Sequence, residues 1–214
     1  MKILVAVPCM SMVHTKFLSS LLSLEAGEHE MRVATTEGTL IYNARHTLAQ
    51  GALDLGCDRI LWLDSDMKFE PDIMLRLSKD LDEGREFVSG LYFKRKLPTG
   101  PLIYDDIVEH DDKLVGFRVF QNYPRNRIFE IAGCGFGCVM MTTDFYRRVL
   151  DKYPKPFYPV AGAGEDLGFC YRAKELGETL YCDSRIKLGH LGIMEFTEDH
   201  LGDFMYLGKT TDAN

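Results

Sequence analysis

The sequence predicts an α/β fold built on a mostly parallel sheet with helices on both faces. Short apolar runs rich in β-branched residues alternate with segments of helical apolar spacing. Each of the early runs closes on a turn signal, and 46% of the 214 residues are hydrophobic against 27% charged, the balance of a globular chain with a sizeable core. Runs that are apolar at consecutive positions, rather than at every second one, fit strands buried on both faces. The length suits one domain over 1–214, with residues 1–93 as a first half, 94–194 as a second and 195–214 as a peripheral tail.

Lys2 to Val7 is a continuous β-branched run closed by Pro8. Phe17, Leu18, Leu21, Leu22 and Leu24 recur at helical spacing before Gly27. A second strand, Met31 to Ala34, stops at Thr35-Thr36-Glu37-Gly38, and a helix runs from about Ile41 to Leu55 with Gly56 at its end. Arg59 to Leu63 is the third strand, followed by Asp64-Ser65-Asp66-Met67, a helix from Pro71 through Leu81, and a fourth strand from Phe87 to Phe93. Such alternation places ligands at the carboxyl ends of the strands, where Pro8, Thr36 and Asp64 all fall.

The pattern changes beyond Tyr92. Lys94 to Pro124 carries prolines, charges and short alternating pieces such as Val115 to Val119, which predicts a β-rich excursion with a mobile loop. Ile128 to Met141 returns to apolar strand with glycines. Helices follow from Thr143 to about Lys152 and from Glu165 to Leu176, and a short strand spans Arg185 to Leu188.

With 32 acidic against 25 basic residues the net charge is −7, which disfavours phosphate polymers as partners. Lys94-Arg95-Lys96 and the Arg125/Arg127 pair read as solvated surface. There is no apolar run of about 18 residues and the opening MKILVAVPC is too short for a signal peptide, so a cytoplasmic location is expected. The six cysteines lie in apolar segments, as reduced buried thiols do. Cys134 and Cys138 sit among glycines with no second Cys/His pair at zinc-site spacing.

In an extended segment, residues two apart point to one side, so Asp64 and Asp66 are expected to converge on one ligand. Oxygen ligands with few fixed contacts suit magnesium or manganese, which keep positions open for substrate phosphates. The alternative is a solvated turn capping the next helix. Glu165 and Asp166 follow Gly162-Ala163-Gly164 at the start of a helix, whose dipole favours ionised carboxylates. A plain N-terminal cap competes there with a base that takes a proton from a hydroxyl. Arg45, in the first turns of a helix starting at the ligand edge, reads as a phosphate or base contact or as a surface salt bridge. Trp62 reads as core. Tyr153 to Pro159 reads as an exposed Pro-rich loop or as aromatic faces for a sugar.

Taken together, GTLIYNARHTLAQGALDLGCDRILWLDSDM and GEDLGFCYRAKELGETLYCDSRIKLGHLG resemble glycosyltransferase family 2 of the GT-A fold. The shared order is an Ala-Arg element, Asp-x-Asp, a Glu-Asp element and a downstream His, covering roughly residues 1–93 and 128–192. The resemblance implies a nucleotide-diphosphate sugar as donor, bound in the first half, with the acceptor and the chemistry in the second. It implies Asp64 beside the donor ribose or metal, Asp66 on the metal, His190 completing the coordination, Asp166 as base and Glu165 as a positioning partner for acceptor or donor hydroxyls. Arg45 is then a donor contact, and Pro8, Thr36 and Glu37 join Asp64 around the donor. Relatives often carry Asp where this chain has Thr36-Glu37, which leaves the nucleobase open. The glycine-containing stretch from Ala132 to Cys138 resembles the strand near the acceptor, which stays open among saccharide, protein, lipid and modified nucleobase. Inversion is the stereochemistry the resemblance implies. A sugar-nucleotide pyrophosphorylase is the rival reading, but the PCMSMVHTKF segment after the first strand lacks the glycines that cradle a triphosphate. A non-catalytic nucleotide-sugar-binding module is a second rival.

Overall fold

The computed structural model describes residues 1–109, 115–192 and 195–201. The chain opens with β1 (Lys2–Pro8), α1 (Thr15–Leu22), β2 (Glu30–Thr36), α2 (Ile41–Asp54), β3 (Arg59–Leu63), β4 (Met67–Lys68), α3 (Ile73–Asp82) and β5 (Phe87–Leu91). It continues through β6 (Ile103–Glu109), β7 (Val115–Val119), β8 (Ile128–Ile131), β9 (Gly133–Cys134), β10 (Cys138–Thr142), α4 (Thr143–Lys152) and α5 (Glu165–Glu175). The described chain ends with β11 (Leu180–Lys187), β12 (Gly189–Leu191), β13 (Glu195–Phe196) and a 3-10 turn, Glu198–Leu201.

Seven strands form the central sheet in the order β2-β1-β3-β10-β5-β11-β8. β2, β1 and β3 run parallel, as do β5 and β11, while β10 and β8 pair antiparallel to their neighbours. The α/β expectation therefore holds, with β10 inserted against the common direction between β3 and β5. Alternation along each strand divides the core in two. Leu4, Ala6, Ile60 and Trp62 pack with residues of α2, α4 and α5 on one face; Ile3, Val5, Leu61 and Leu63 pack with α1 and α3 on the other. Each such side chain removed from water contributes about 1.5–3 kcal/mol, which is why both faces of β1 and β3 are covered.

Local signals fix the helix ends. Thr142 caps α4 by accepting the Phe145 N–H (3.1 Å), with Asp144 in the first turn and Lys152 in the last, each matched to the helix dipole. Arg59 at the start of β3 is buried and ties the strand to α3: Nη1 donates to the Ser78 carbonyl (2.8 Å) and hydroxyl (2.7 Å), and Nη2 to Asp82.

Several sequence expectations change. The fourth strand stops at Leu91, and Ile128 to Met141 is three strands serving two sheets. The strand expected at Arg185 to Leu188 begins at Leu180, its apolar signal broken by buried Asp183 and Ser184. The excursion after Tyr92 contains the β6–β7 hairpin, which joins β9 in a small sheet; residues 110–114 lie outside the described residues. Phe157 is fully buried against Trp62, Phe136 and Phe169, and Tyr158 packs on Tyr42, while Pro154, Lys155 and Pro159 are exposed, so Tyr153 to Pro159 is a partly exposed loop with Phe157 turned into the core. The expected peripheral tail is anchored over its described part. Glu195 pairs with Lys68, and Glu198 accepts from Tyr123, Arg125 and Lys187; residues 202–214 lie outside the described residues. All six cysteines are free and five are buried. Among the described residues no helix is long and apolar enough to cross a membrane.

Candidate functional site

The site forms where β3 ends. After five fully buried residues the chain turns at Asp64. Its N–H donates to the Gly137 carbonyl (3.2 Å), and its carbonyl accepts the Met67 N–H (3.1 Å). Asp64-Ser65-Asp66 is thus a tight turn rather than an extended segment, and the expected convergence of the two carboxylates is replaced by separate partners. Asp64 Oδ1 accepts from Arg45 Nη2 at 3.0 Å, whereas Asp66 Oδ2 accepts from Arg95 Nη1 at 2.5 Å and lies 3.6 Å from His190 Nε2.

His190 reaches Asp66 because β12 pairs antiparallel with β4, placing His190 opposite Met67, and the Leu191 N–H donates to the Asp66 carbonyl (2.7 Å). His190 Nδ1 lies 2.7 Å from the Phe93 carbonyl and the ring meets Tyr92 edge-on at 5.4 Å. The carbonyl can only accept, so Nδ1 donates to it, which leaves Nε2 as the ring nitrogen turned to the Asp66 carboxylate. A protonated ring pairs with Asp66 across this 3.6 Å gap, whereas with Nε2 unprotonated the nitrogen and the carboxylate oxygen are two electron-pair donors that a cation can bridge. Burial raises the Asp66 carboxyl, and the adjacent His190 and Arg95 outweigh it, holding the group below the ordinary carboxylate value. Among the described residues no group of three or more His, Cys, Asp or Glu side chains could hold a metal. The two-donor set of Asp66 and His190 nevertheless fits magnesium or manganese, which take one or two protein ligands and fill the rest with water and phosphate. Asp64, expected beside the donor ribose or the metal, has Oδ1 on Arg45 and lines the same cavity as Asp66.

Arg45 is the hub between the two acidic elements. Its side chain is 2% exposed; Nη2 meets Asp64 and Nε meets Glu165 Oε1 at 3.4 Å. The guanidinium also lies over the rings of Trp62 (5.7 Å) and Phe136 (5.3 Å). Burial works against its charge, but Asp64, Glu165 and Asp166 more than offset this and keep it cationic. Arg45 pairs with the carboxylates around it through Nη2 and Nε, while its Nη1 is buried without a hydrogen-bond partner and the residue lines the cavity over the site. Through it, the end of β3 and the start of α5 are joined, Arg45 and Glu165 lying 120 residues apart in sequence.

Glu165 and Asp166 open α5 as expected. Neither caps it by a side-chain bond from the N-cap position, which Gly164 occupies. Asp166 Oδ1 accepts the Leu167 N–H at 2.7 Å. Burial first, then the charge of Glu165, push the Asp166 carboxyl up to about 6, against the pull of the Leu167 N–H and Arg45. The glycine stretch borders this group. A Cβ on Gly135 would stand 3.6 Å from Asp166 Oδ2 and 2.2 Å from the Tyr92 hydroxyl, which itself accepts the Gly137 N–H at 2.9 Å. Glycine is required there for backbone to pass this close to Tyr92 and Asp166.

A cavity of about 290 Å³ lies over these residues, with Pro8, Arg45, Asp64, Asp66, Arg95 and Glu165 in its wall. Thr36 and Glu37 stand at the end of β2 outside that wall, and Thr39 and Ile41 from the next segment line it instead. Thr36 acts through its carbonyl, which accepts the Cys9 N–H (3.0 Å) and thiol (3.4 Å) and so fixes the loop after β1; its hydroxyl oxygen is buried without a partner. Burial, then the charge of Glu37, raise the Cys9 thiol. Arg95 was not visible as a site residue in the sequence, since a short basic cluster between prolines looks the same on any surface.

Among solved structures the chain is similar to A197 from STIV, at 20% identity and a TM-score of 0.65, over 90% of this chain and 86% of that one. It is similar also to GalNAc-T7, solved with UDP, GalNAc and Mn2+, at 11% identity and a TM-score of 0.60, over 92% of this chain and 44% of that one. The fold is of the GT-A type. No family model and no curated protein matches the sequence.

Proposed function

We propose that this chain is a metal-dependent glycosyltransferase that moves a sugar from a nucleotide-diphosphate donor to an acceptor hydroxyl with inversion. The observation that carries the reading is the Asp64–Arg45–Glu165 bridge. It brings the strand-end acidic turn and Glu165 to one cavity that also contains Asp66, with Asp166 next to Glu165 at the start of α5. Similarity to a structure solved with UDP, GalNAc and Mn2+ supports it at the level of fold.

In this reading residues 1–93 bind the donor and 94–194 the acceptor. Pro8 and Asp64 flank the nucleotide, and Thr36 and Glu37 shape that end of the site from behind its wall, Thr36 by holding Cys9 through its carbonyl. Asp66 and His190 would hold a divalent cation, magnesium or manganese, which when bound would supply positive charge against the diphosphate. Asp166 is the base. Its carboxylate accepts the proton of the acceptor hydroxyl while that oxygen bonds to the anomeric carbon and the bond to the diphosphate breaks. A carboxyl raised to about 6 is mostly ionised at neutral pH yet more basic than an ordinary aspartate, the compromise a general base needs. Glu165 and Arg45 keep the base and the donor aspartate in register.

Calorimetric titration of a panel of nucleotide sugars, with manganese and with chelator, tests the reading. Metal-dependent binding of at least one donor, with the metal dependence lost in Asp66→Ala, is expected. Equal affinity under all conditions would sink it, and pyrophosphate release from a nucleoside triphosphate and a sugar phosphate would favour a nucleotidyltransferase.

A further inference from the structure

Of the two cations in the cavity wall, Arg45 is buried and engaged on two sides, whereas the Arg95 side chain is 54% exposed and bonded to Asp66. Arg95 enters from the segment between β5 and β6, and its Nη1 takes the same Asp66 oxygen that faces His190 Nε2. One carboxylate oxygen cannot serve a guanidinium and a divalent cation together without placing like charges in contact. The wall also holds three carboxylates, Asp64, Asp66 and Glu165, against those two arginines. An incoming diphosphate therefore needs a cation that is free to turn to it.

We propose that Arg95 is an internal counter-cation: it occupies the metal-facing oxygen of Asp66 in the empty site and transfers to the diphosphate when metal and donor enter. It is a donor-positioning residue. The diphosphate half of this inference rests on the glycosyltransferase reading; the competition with metal does not. Displacement costs little, because an ion pair with one partner half exposed to water is weak. On the diphosphate the planar fork finds a doubly charged acceptor that fits it better than one carboxylate oxygen does. Metal and diphosphate binding are thereby coupled, and linkage requires the coupling to be reciprocal.

The full chain and its Arg95→Ala and Arg95→Lys variants are titrated with Mn2+ alone, followed by electron paramagnetic resonance, and then with pyrophosphate at saturating Mn2+ by calorimetry. Arg95→Ala is expected to bind Mn2+ alone about two- to fivefold more tightly than the parent, the loss of a competitor of that strength. It is expected to bind manganese pyrophosphate about tenfold more weakly, as a charge-assisted contact is lost, with Arg95→Lys between the two. Unchanged Mn2+ affinity in Arg95→Ala, or unchanged pyrophosphate affinity, would overturn the inference. Asp66→Ala separates the two readings. If it leaves Mn2+ binding intact, the metal site itself is wrong; if it abolishes binding while Arg95→Ala changes nothing, only the role of Arg95 falls.

Discussion

Asp166→Asn removes the proposed base and should make the protein more stable at neutral pH. The Asp166 carboxyl is raised from 3.8 to about 6, chiefly by burial and then by Glu165. A folded-state value above the unfolded one means that the folded chain binds the proton more tightly, so stability falls as pH rises between those two values and stays low above them. The shift corresponds to about 3 kcal/mol at pH 7.5, and water reaching the partly exposed group reduces the measured effect to about 1–3 kcal/mol. Asparagine keeps the shape and removes the charge. The variant should therefore melt about 3–10 °C higher at pH 7.5, and the gain should shrink to about 0.5 kcal/mol by pH 4, where the folded carboxyl is protonated. Thermal or denaturant unfolding of both proteins across pH 4–8 measures this without any substrate. A variant less stable at pH 7.5, or a difference that does not change with pH, would refute the assignment of a strained, buried carboxylate at this position.

Arg45→Met leaves Asp64 and Glu165 facing each other without a cation and should cost about 1–3 kcal/mol in unfolding free energy, less than a fully buried pair because both carboxylates keep some solvent; Arg45→Lys should recover part of it. Gly135→Ala drives a methyl group into the Tyr92 hydroxyl and should cost about 1–3 kcal/mol. Tyr92→Phe alone should destabilise by leaving the Gly137 N–H without its acceptor, and the double variant should lose less than the two changes summed, as a denaturation cycle would show.

Much of this was legible in the sequence where a signal is local. The apolar run ending at Asp64, the helix from Thr143 to Lys152, and the Glu165–Asp166 opening of α5 follow from residue types at fixed offsets. What was not legible depends on pairing across long separations. Nothing within Cys138–Thr142 says that it runs antiparallel between β3 and β5, because an apolar strand is equally satisfied in either direction. The Asp64 turn was misread as extended because its geometry is set by Gly137 and Met67 rather than by the Asp-x-Asp triplet itself. Asp183 masked the first half of β11, since a buried carboxylate beside Arg185 looks like loop composition until its partner is seen. Arg95 was hidden for the opposite reason: its sequence setting is ordinary, and only the approach to Asp66 distinguishes it from Lys94 and Lys96.

Nuclear magnetic resonance of a nucleotide sugar incubated with the chain and magnesium follows cleavage and the anomeric configuration of the first product together. The proposal predicts metal-dependent release of nucleoside diphosphate and, for the sugar passed to water or acceptor, inverted configuration at the anomeric carbon, with Asp166→Asn inert. Absence of cleavage with every donor, or cleavage that proceeds equally in Asp166→Asn, would contradict it.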